Sequence, residues 1–353
     1  MLKKVLIVLA VLVTAGAVFA FAITRDGDVT TPQGEGTVSI ASGDFEGFSL
    51  PEYAASFVND DYKSYFVEVE PGIKIHVLEV GEGFTVYMQH GNPTSGFLYR
   101  KVAAELPKDQ LRLVMPTMVG LGYSSKVSAD QHTLENHMRW MTAALEQIGV
   151  TEAVYVGQDW GGPVGMGAMA RSPGVLKGAV VMNTGFTAPR EARDLSEAHA
   201  MVKTPVVGEM ALEVFGSIFD RLPGAQGDPT SMPSAVLDLY GKPVTESGNA
   251  KAPVALMRMV PDSPDHPSAE QMREIEAYVA TLDIPVELVW GMNDPILGPG
   301  LATMQANFPK APVTETEAGH FLQEEVPEEI AAAILRVVDR VQGADAGRVD
   351  SDD

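Results

Sequence analysis

Cysteine is absent from the 353 residues of this sequence. This absence excludes disulfide bonds, thiolate nucleophiles and cysteine-ligated metal sites. Basic residues are also scarce, with 25 lysines and arginines against 47 aspartates and glutamates and a net charge of −22. A surface of that sign repels nucleic acid, and no cluster of basic residues offsets it, so we exclude nucleic acid as a partner. Hydrophobic residues, at 45% of the chain, are sufficient for a substantial core.

The seven histidines form no recognisable metal-binding pair. None belongs to an H-E-x-x-H motif or to a similar arrangement of two ligands on one helix face. Gly120 and Gly122 are not a dinucleotide-binding fingerprint either, because the third glycine and its helix are missing. We therefore expect no metal site and no cofactor.

The first 23 residues have the features of a targeting segment. Lys3 and Lys4 precede an uncharged run over residues 5–23, and Ala20-Phe21-Ala22 could serve as a cleavage site. The run is long for a signal peptide and just long enough to span a bilayer, so a cleaved signal peptide and an uncleaved membrane anchor are both open. Either alternative predicts export, with the folded part in the periplasm or facing outward from the cytoplasmic membrane.

Two polar segments flank the main body of the chain. Residues 24–50 are rich in Gly, Thr, Ser and Asp with little apolar periodicity, which indicates a flexible linker. Residues 343–353 indicate a disordered acidic tail.

Short apolar runs alternate with helical patterns between these two segments. Strands are predicted at residues 65–70, 73–80, 84–89, 111–116, 153–156, 178–182 and 284–290, and helices at 133–148 and 326–341. The alternation predicts an α/β fold with a mostly parallel central sheet and helices on both faces, formed by residues 51–183 and 283–342. Residues 184–282 break the rhythm with helical stretches at 211–219 and 269–282. We expect them to form a helical cap inserted between two strands.

The most informative stretch is Gly157-Gln158-Asp159-Trp160-Gly161-Gly162, which follows an apolar run. A strand, a sharp glycine turn and a helix form the nucleophile elbow G-x-S-x-G, here with Asp159 in place of serine. A carboxylate attacks saturated carbon and leaves an alkyl ester, but it is a poor nucleophile toward amides and esters. The expected substrate therefore carries a leaving group on saturated carbon, such as a halide or an epoxide oxygen. A serine esterase is excluded.

Three more polar segments follow predicted strands, at the sheet edge where ligands bind in such folds. Asn293-Asp294-Pro295 supplies a carboxylate that could orient an imidazole, and Ala318-Gly319-His320 supplies the imidazole. Residues 90–95 supply backbone amides able to line an anion site. The order Asp159, Asp294, His320 is that of the α/β-hydrolase triad, so the coincidences together indicate more than any one motif.

Residues 90–100 and 157–162 resemble segments of the haloalkane dehalogenases of the α/β-hydrolase fold, and the resemblance covers roughly residues 60–342. It implies hydrolysis of carbon–halogen bonds in small haloalkanes, with water as the second substrate and with an alcohol and a halide as products. It also implies a covalent alkyl-aspartate intermediate. The preferred haloalkane, the physiological substrate and the oligomeric state stay open.

The resemblance also implies a role for each residue of the site. Asp159 would be the nucleophile, His320 would activate the water that hydrolyses the ester, and Asp294 would fix the tautomer of His320. Asn92 and Trp160 would hold the departing halide through their side-chain N–H groups.

Members of the family differ in the position of the acid. In one branch it is a glutamate where this chain has Asn183, which cannot serve, so Asp294 is the better acid. An aspartate acid with an Asn–Trp halide pair resembles the third subfamily. Relatives often carry an aspartate where Thr117 stands, but that position is outside the catalytic set.

Two alternatives remain from the sequence. An epoxide hydrolase would share the triad but would need acidic phenols from the cap, for which Tyr240 and Tyr278 are candidates. Relatives of that kind usually carry an aromatic residue where Asn92 stands. A non-catalytic binding protein tethered to the envelope would have no need of His320 paired with Asp294.

Overall fold

The computed structural model describes residues 13–21, 24–25, 29–214 and 216–349. Ten strands form one sheet: β1 (Thr37–Ile40), β2 (Gly43–Gly47), β3 (Lys63–Glu70), β4 (Ile73–Val80), β5 (Phe84–Gln89), β6 (Leu111–Pro116), β7 (Ala153–Gln158), β8 (Leu176–Met182), β9 (Val286–Gly291) and β10 (Val313–Thr316). Their spatial order is β1-β2-β3-β4-β6-β5-β7-β8-β9-β10. The pairs from β1 to β4 and the β4–β6 pair are antiparallel, and all pairs from β6 to β10 are parallel. The mostly parallel sheet predicted from the alternation is confirmed.

From residue 29 onward the α-helices are α1 (Glu52–Ala55), α2 (Arg100–Ala104), α3 (Leu134–Ile148), α4 (Gly161–Ala170), α5 (Glu197–Lys203), α6 (Val207–Glu209), α7 (Ser234–Thr245), α8 (Ala252–Arg258), α9 (Ala269–Val279), α10 (Leu301–Asn307) and α11 (Pro327–Val349). Helix α4 contacts α3 and α9, whereas α11 contacts β7, β8, β9 and α2. Strands β7 and β9 are buried at every residue, because helices cover both faces of the parallel part of the sheet.

Helix α3 shows how local sequence sets an element's limits. The side-chain oxygen of Thr133 accepts a hydrogen bond from the backbone N–H of Asn136, which caps the first turn. Gly149 ends the helix with φ 71°, a left-handed conformation that glycine adopts without strain. The buried residues between them recur every three or four positions, so one face of the helix packs inward.

Strands β1 and β2 lie inside the segment predicted as a flexible linker, so that prediction is wrong for residues 37–47. Val38, Ile40 and Phe45 pack against the core, and the ring of Phe45 lies 5.3 Å from that of Tyr65. The hairpin extends the antiparallel edge of the sheet. The exposed positions of the two strands carry small or polar residues, and these hide the short apolar alternation.

The chain between β8 and β9 forms α5 to α9 with short non-α turns between them. The helix predicted over residues 211–219 is a π-helical turn at Met210–Val214 and the start of a 3-10 segment at Phe219–Ala225. Gly216 and Pro223 disfavour a continuous α-helix through this region.

The predicted acidic tail at the C-terminus is partly helical, and much of the predicted targeting segment at the N-terminus lies outside the described residues. Helix α11 continues to Val349, so residues 343–349 of the predicted disordered tail are helical, whereas residues 350–353 lie outside the described residues. Alanine at two of these positions favours the helix over the two glycines beside them. Most of the predicted targeting segment, residues 1–12 and 22–23, is also outside the description. Among the residues that are described, no helix has the length and apolar character needed to cross a membrane.

Candidate active site

Asp159 lies on the sharp turn between β7 and α4. Its φ of 51° is unusual for a residue other than glycine, and the strained turn presents the carboxylate at the carboxyl end of the sheet. Two backbone contacts hold the turn: Asp159 N–H donates to the carbonyl of Asn183 at 3.0 Å, and Thr184 Oγ1 donates to the carbonyl of Asp159 at 2.7 Å. A Cβ at Gly161 would collide with the carbonyl oxygen of Gln89, so the close approach of β5 requires glycine there.

His320 and Asp294 complete the constellation predicted from the strand ends. Nδ1 of His320 lies 2.9 Å from Oδ2 of Asp294, a hydrogen-bonded pair in which both side chains are almost fully buried. Nε2 of His320 lies 3.7 Å from Oδ2 of Asp159, beyond hydrogen-bond distance. The second ring nitrogen therefore faces the Asp159 carboxylate without being hydrogen-bonded to it.

Asn183 holds the acid in place. Its Nδ2 donates to Oδ2 of Asp294 at 2.8 Å, the same oxygen that pairs with His320, and Ile296 N–H donates to the other carboxylate oxygen at 2.7 Å. The side-chain oxygen of Asn183 accepts from Gly291 N–H at 2.8 Å. Asn183 cannot be the acid, as expected, but it is a direct partner of the acid. Its position immediately after β8 was the available signal.

Charges and burial act in opposite directions on the three ionisable groups. Burial raises the pKa of Asp159 above its ordinary value, although His320 and the backbone N–H groups of Trp160 and Asn92 partly oppose this. Burial alone would lower the pKa of His320, but the Asp294 and Asp159 carboxylates raise it overall. Burial would raise the pKa of Asp294, but His320 and the hydrogen bonds to its carboxylate hold it below the ordinary value. The site thus favours an ionised Asp294 beside a basic imidazole.

Asn92 and Trp160 both lie beside Asp159. The backbone N–H of Asn92 donates to Oδ1 of Asp159 at 2.8 Å. The Asn92 side chain donates one N–H to the carbonyl of Pro253 in the cap at 3.0 Å, and its second N–H has no hydrogen-bond partner within residues 29–214 and 216–349. The Trp160 side chain is 7% exposed. Both side chains line the cavity in front of the carboxylate.

Two cavities meet at Asp159 and Trp160. The first, here called the cap cavity, has a volume of about 190 Å³ and is lined by Asn92, Pro93, Asp159, Trp160, Ala198, His199, Met201, Val202, Leu212, Ile218, Arg221, Leu222, Ala225, Met257, Val260, Ile296, His320 and Phe321. The second, the side cavity, has a volume of about 420 Å³ and lies between residues 184–196 and α10. The cap cavity is mostly apolar and fits a small organic molecule beside the nucleophile.

Tyr240 and Tyr278, the two phenols considered for an epoxide hydrolase, do not line the cavities beside Asp159. Tyr240 is buried, and its hydroxyl donates to Glu324 at 2.6 Å beside Arg100. Tyr278 lines neither the cap cavity nor the side cavity. No tyrosine is therefore among the residues that line these two cavities, so the acid that an epoxide hydrolase needs is not supplied as expected.

A short segment of the cap holds the loop of His320. Ala225 accepts from His320 N–H at 2.8 Å, and the side chain of Gln226 both accepts from Phe321 N–H at 2.9 Å and donates to the Phe321 carbonyl at 3.2 Å. From the core side, Gln158 donates to the carbonyl of His320 at 2.9 Å. Sequence reasoning missed these positioning residues, because nothing in the pattern of residues 225–226 marks their contact with a loop 95 positions later.

His199 was also missed. It lies on α5, half-buried, with Nδ1 2.7 Å from Oγ of Ser196, and it lines both cavities. It follows no strand and belongs to no motif, so the strand-end argument could not find it. Across the part of the chain that the structure describes, no group of three or more His, Asp or Glu side chains is placed to bind a metal ion.

Comparison with known proteins identifies the family of the chain. Residues 85–327 match the family described as alpha/beta hydrolase fold. "Haloalkane dehalogenase 2" of Mycobacterium tuberculosis (strain ATCC 25618 / H37Rv) is 30% identical over 265 residues, which cover 74% of this chain and 90% of that protein. A "Cis-3-alkyl-4-alkyloxetan-2-one decarboxylase" of Shewanella oneidensis is 28% identical over 285 residues, covering 77% of this chain and 87% of that protein.

A solved structure of a haloalkane dehalogenase has the same fold as this chain. The haloalkane dehalogenase DatA from Agrobacterium tumefaciens C58 superposes with a TM-score of 0.70 at 25% identity, covering 81% of this chain and 99% of that one. The alignable part thus includes nearly the whole of that protein, and this chain carries additional residues.

Proposed function

The chain belongs to the haloalkane dehalogenase family of the α/β-hydrolase fold, hydrolases that act on carbon–halide bonds, and we propose that it converts haloalkanes to alcohol and halide through an alkyl ester on Asp159. The observation that carries the proposal is the placement of Asp159 opposite the His320–Asp294 pair at the wall of the mostly apolar cap cavity. A carboxylate nucleophile, an oriented base and an apolar site suit an uncharged alkyl substrate.

In the first step an oxygen of Asp159 attacks the carbon that bears the halogen. A carbon–oxygen bond forms as the carbon–halogen bond breaks, and the halide leaves with the bonding electron pair. Burial removes water from the carboxylate and makes it more reactive in the cap cavity. The backbone N–H of Asn92 on Oδ1 fixes the carboxylate's orientation for in-line attack.

The departing halide needs donors where its charge develops. Asn92 and Trp160 line the cap cavity with Asp159, and their side-chain N–H groups are neutral donors, so they would stabilise a halide without first forming an ion pair with the nucleophile. The hydrogen bond from Asn92 to Pro253 holds the amide in this position and links it to the cap.

In the second step His320 removes a proton from water, and the oxygen of that water adds to the carboxyl carbon of Asp159. The negative charge that forms on Oδ1 is stabilised by the backbone N–H of Asn92, with that of Trp160 beside it. The bond between the carboxyl carbon and the alkyl-bearing oxygen then breaks, the alcohol leaves with the proton of the added hydroxyl group, and Asp159 returns as a carboxylate that contains one oxygen from water. His320 releases the proton that it took from water to the solvent, so each turnover yields one proton with the halide. Asp294 holds the ring of His320 in the tautomer that leaves Nε2 without a proton, and the only contact to that nitrogen among the described residues besides Asp159 is the long one to the amide of Gln158 at 3.4 Å.

We also propose that the chain is exported, either with residues 1–23 removed or with them retained as an anchor. Lys3 and Lys4 before the uncharged run support this proposal. Fractionation of cells that express the full chain, with mass measurement of the product, tests it. A full-length product in the cytoplasmic fraction would contradict export.

The proposed mechanism is tested by trapping the ester. In His320→Phe, a bromoalkane should alkylate Asp159 once, release one equivalent of bromide and stop, because no base activates the water. Intact mass should increase by the alkyl group, and peptide mapping should place it on Asp159. The matched control is Asp159→Ala, which should form no adduct and retain less than roughly a thousandth of the wild-type rate.

Other outcomes identify other functions. An adduct with an epoxide but not with a bromoalkane would indicate an epoxide hydrolase. The substrates tested also include an oxetan-2-one, because the Shewanella oneidensis relative is named for such a substrate. Turnover of that ring without halide release from any bromo- or iodoalkane would overturn the proposal. Binding without any turnover would indicate a non-catalytic binding protein.

A further inference from the structure

The cap cavity is apolar except at a few positions, and His199 is one that the proposed mechanism does not use. The neighbouring cap side chains Met201, Val202, Leu212 and Met257 are hydrocarbon or thioether. The half-buried imidazole of His199 thus places a polar group in a mostly apolar wall. His199 also lines the side cavity, so it lies at the junction of the two cavities in front of the nucleophile.

The surroundings of His199 keep the ring neutral near the reaction centre. Burial lowers the pKa of His199 below its ordinary value, and the nearby Asp159 carboxylate only partly opposes this. The charges of both Asp159 and His320 act on the ring, which places it within electrostatic range of the catalytic pair.

Ser196 favours one tautomer of that neutral ring. As the residue that caps α5, Ser196 accepts a long hydrogen bond from the backbone N–H of His199 at 3.4 Å. The Ser196 hydroxyl can then donate its proton to Nδ1 of His199, at 2.7 Å. This arrangement leaves the proton of the ring on Nε2. Within residues 29–214 and 216–349, Nε2 of His199 has no hydrogen-bond partner.

We propose that His199 supplies a hydrogen-bond donor to an oxygen atom on the substrate, so that the preferred substrates are haloalkanes with a hydroxyl, ether or carbonyl oxygen on the alkyl chain. The inference rests on the proposed dehalogenation. An oxygen that enters an apolar cavity loses its bonds to water, and Nε2–H replaces one of them. A plain alkane chain instead leaves Nε2–H unpaired, so the site discriminates in favour of the oxygenated substrate.

Matched substrate pairs test this. Bromoethanol, bromopropanol and bromobutanol, each with the hydroxyl on the terminal carbon, are compared with bromopropane, bromobutane and bromopentane, in which a methyl group of similar size replaces the hydroxyl. The quantity measured is the ratio of kcat/KM for each alcohol to that for its alkane. The variants are His199→Phe, which removes the donor, and His199→Gln, which retains one. Met201→Leu is the control on the same helix.

In His199→Phe the ratio should fall about threefold to tenfold for at least one pair, mainly through KM of the bromoalcohol, as expected for the loss of one neutral hydrogen bond. The rate with the bromoalkane shows that the variant is folded. His199→Gln should recover part of the ratio, and Met201→Leu should not change it. An unchanged ratio in His199→Phe would overturn the inference about His199 but would leave the proposed dehalogenation intact. If the wild-type protein releases bromide from neither class, the proposed dehalogenation fails, and this inference fails with it.

Discussion

The core and the cap bound the same cavity but differ in how firmly they are held. Strands β7 and β9 are buried at every residue, and the residues that follow them, Asp159 and Asp294, are fixed by several hydrogen bonds. In the cap, α5 has Val202 as its only buried residue. Val202, Leu212 and Val254 form a small hydrophobic cluster separate from the main core. From this difference we expect changes in the core to act mainly on the rate of the reaction and changes in the cap to act mainly on which substrates bind.

The largest effect is expected where the core fixes a charge. Asp294→Asn should reduce turnover by up to about 10⁴, because the amide stabilises the wrong tautomer of His320 and offers no charge to the imidazolium. Asn183→Ala removes one donor from Asp294 but leaves the carboxylate, so its loss should be nearer tenfold. Steady-state bromide release measures both variants. A larger loss in Asn183→Ala would show that the acid has been misassigned.

The halide donors should give the next largest effect. Trp160→Phe and Asn92→Ala should each slow the alkylation step by roughly 10²–10³, if each donor acts like one donor of an oxyanion hole. Single-turnover bromide release isolates this step from ester hydrolysis. Met201 lines the same cavity from the cap, so Met201→Leu serves as the control, and we expect it to change the rate of alkylation by only a few fold. If Met201→Leu slowed alkylation as much as the two donor variants do, the rate of this step would not depend more on the core than on the cap.

The dependence on pH should separate the two steps. Because the pKa of His320 is raised, steady-state turnover should fall as the pH drops through that pKa, by about tenfold per pH unit. Protonated His320 cannot accept a proton from water. Alkylation needs only ionised Asp159, a carboxyl group whose pKa starts from a lower range, so the bromide burst should persist to lower pH. Rapid-quench measurements of the bromide burst across the acid range check this. If the burst and steady-state turnover fell over the same pH range, separate roles for the two residues would be contradicted.

The smallest effect compares two fully buried valines, Val180 in β8 and Val202 in the cap. Val180→Ala should lower the free energy of unfolding by roughly 2 kcal/mol, from the lost methyl groups and the cavity left behind. Val202→Ala should lower it less and instead change KM a few fold, because Val202 lines the cap cavity. Thermal unfolding and KM for one bromoalkane measure the pair. Equal losses of stability would mean that the cap is as firmly packed as the core.

The sequence predicted the core part of the site better than the cap part, for a physical reason. Asp159, Asp294 and His320 follow the strand and loop pattern of the sheet, and parallel strands bring their carboxyl ends to one edge whatever the intervening chain does. The glycine turn and the apolar run before Asp159 were visible because they are local features.

The remaining features depend on contacts across large sequence separations. Gln226 and His199 reach the site only through the packing of the inserted cap, which has no period that fixes its position. Asn183 directly follows a predicted strand and matches the position of the acid in one branch of the family, but its hydrogen bond to Asp294 depends on the register of β8 against β9. The β1–β2 hairpin was missed because its polar outer face resembles the composition of a linker.

The hydrogen bonds between residues 225–226 and the loop of His320 join the two regions that otherwise differ. Three of them connect the cap to the backbone of His320 and Phe321. Any outward displacement of this cap segment removes all three together and leaves the base without part of its support. Under the proposed mechanism, hydrolysis of the ester therefore requires that residues 225–226 stay against the loop of His320, so this part of the cap would serve the second step as well as forming a wall of the cavity.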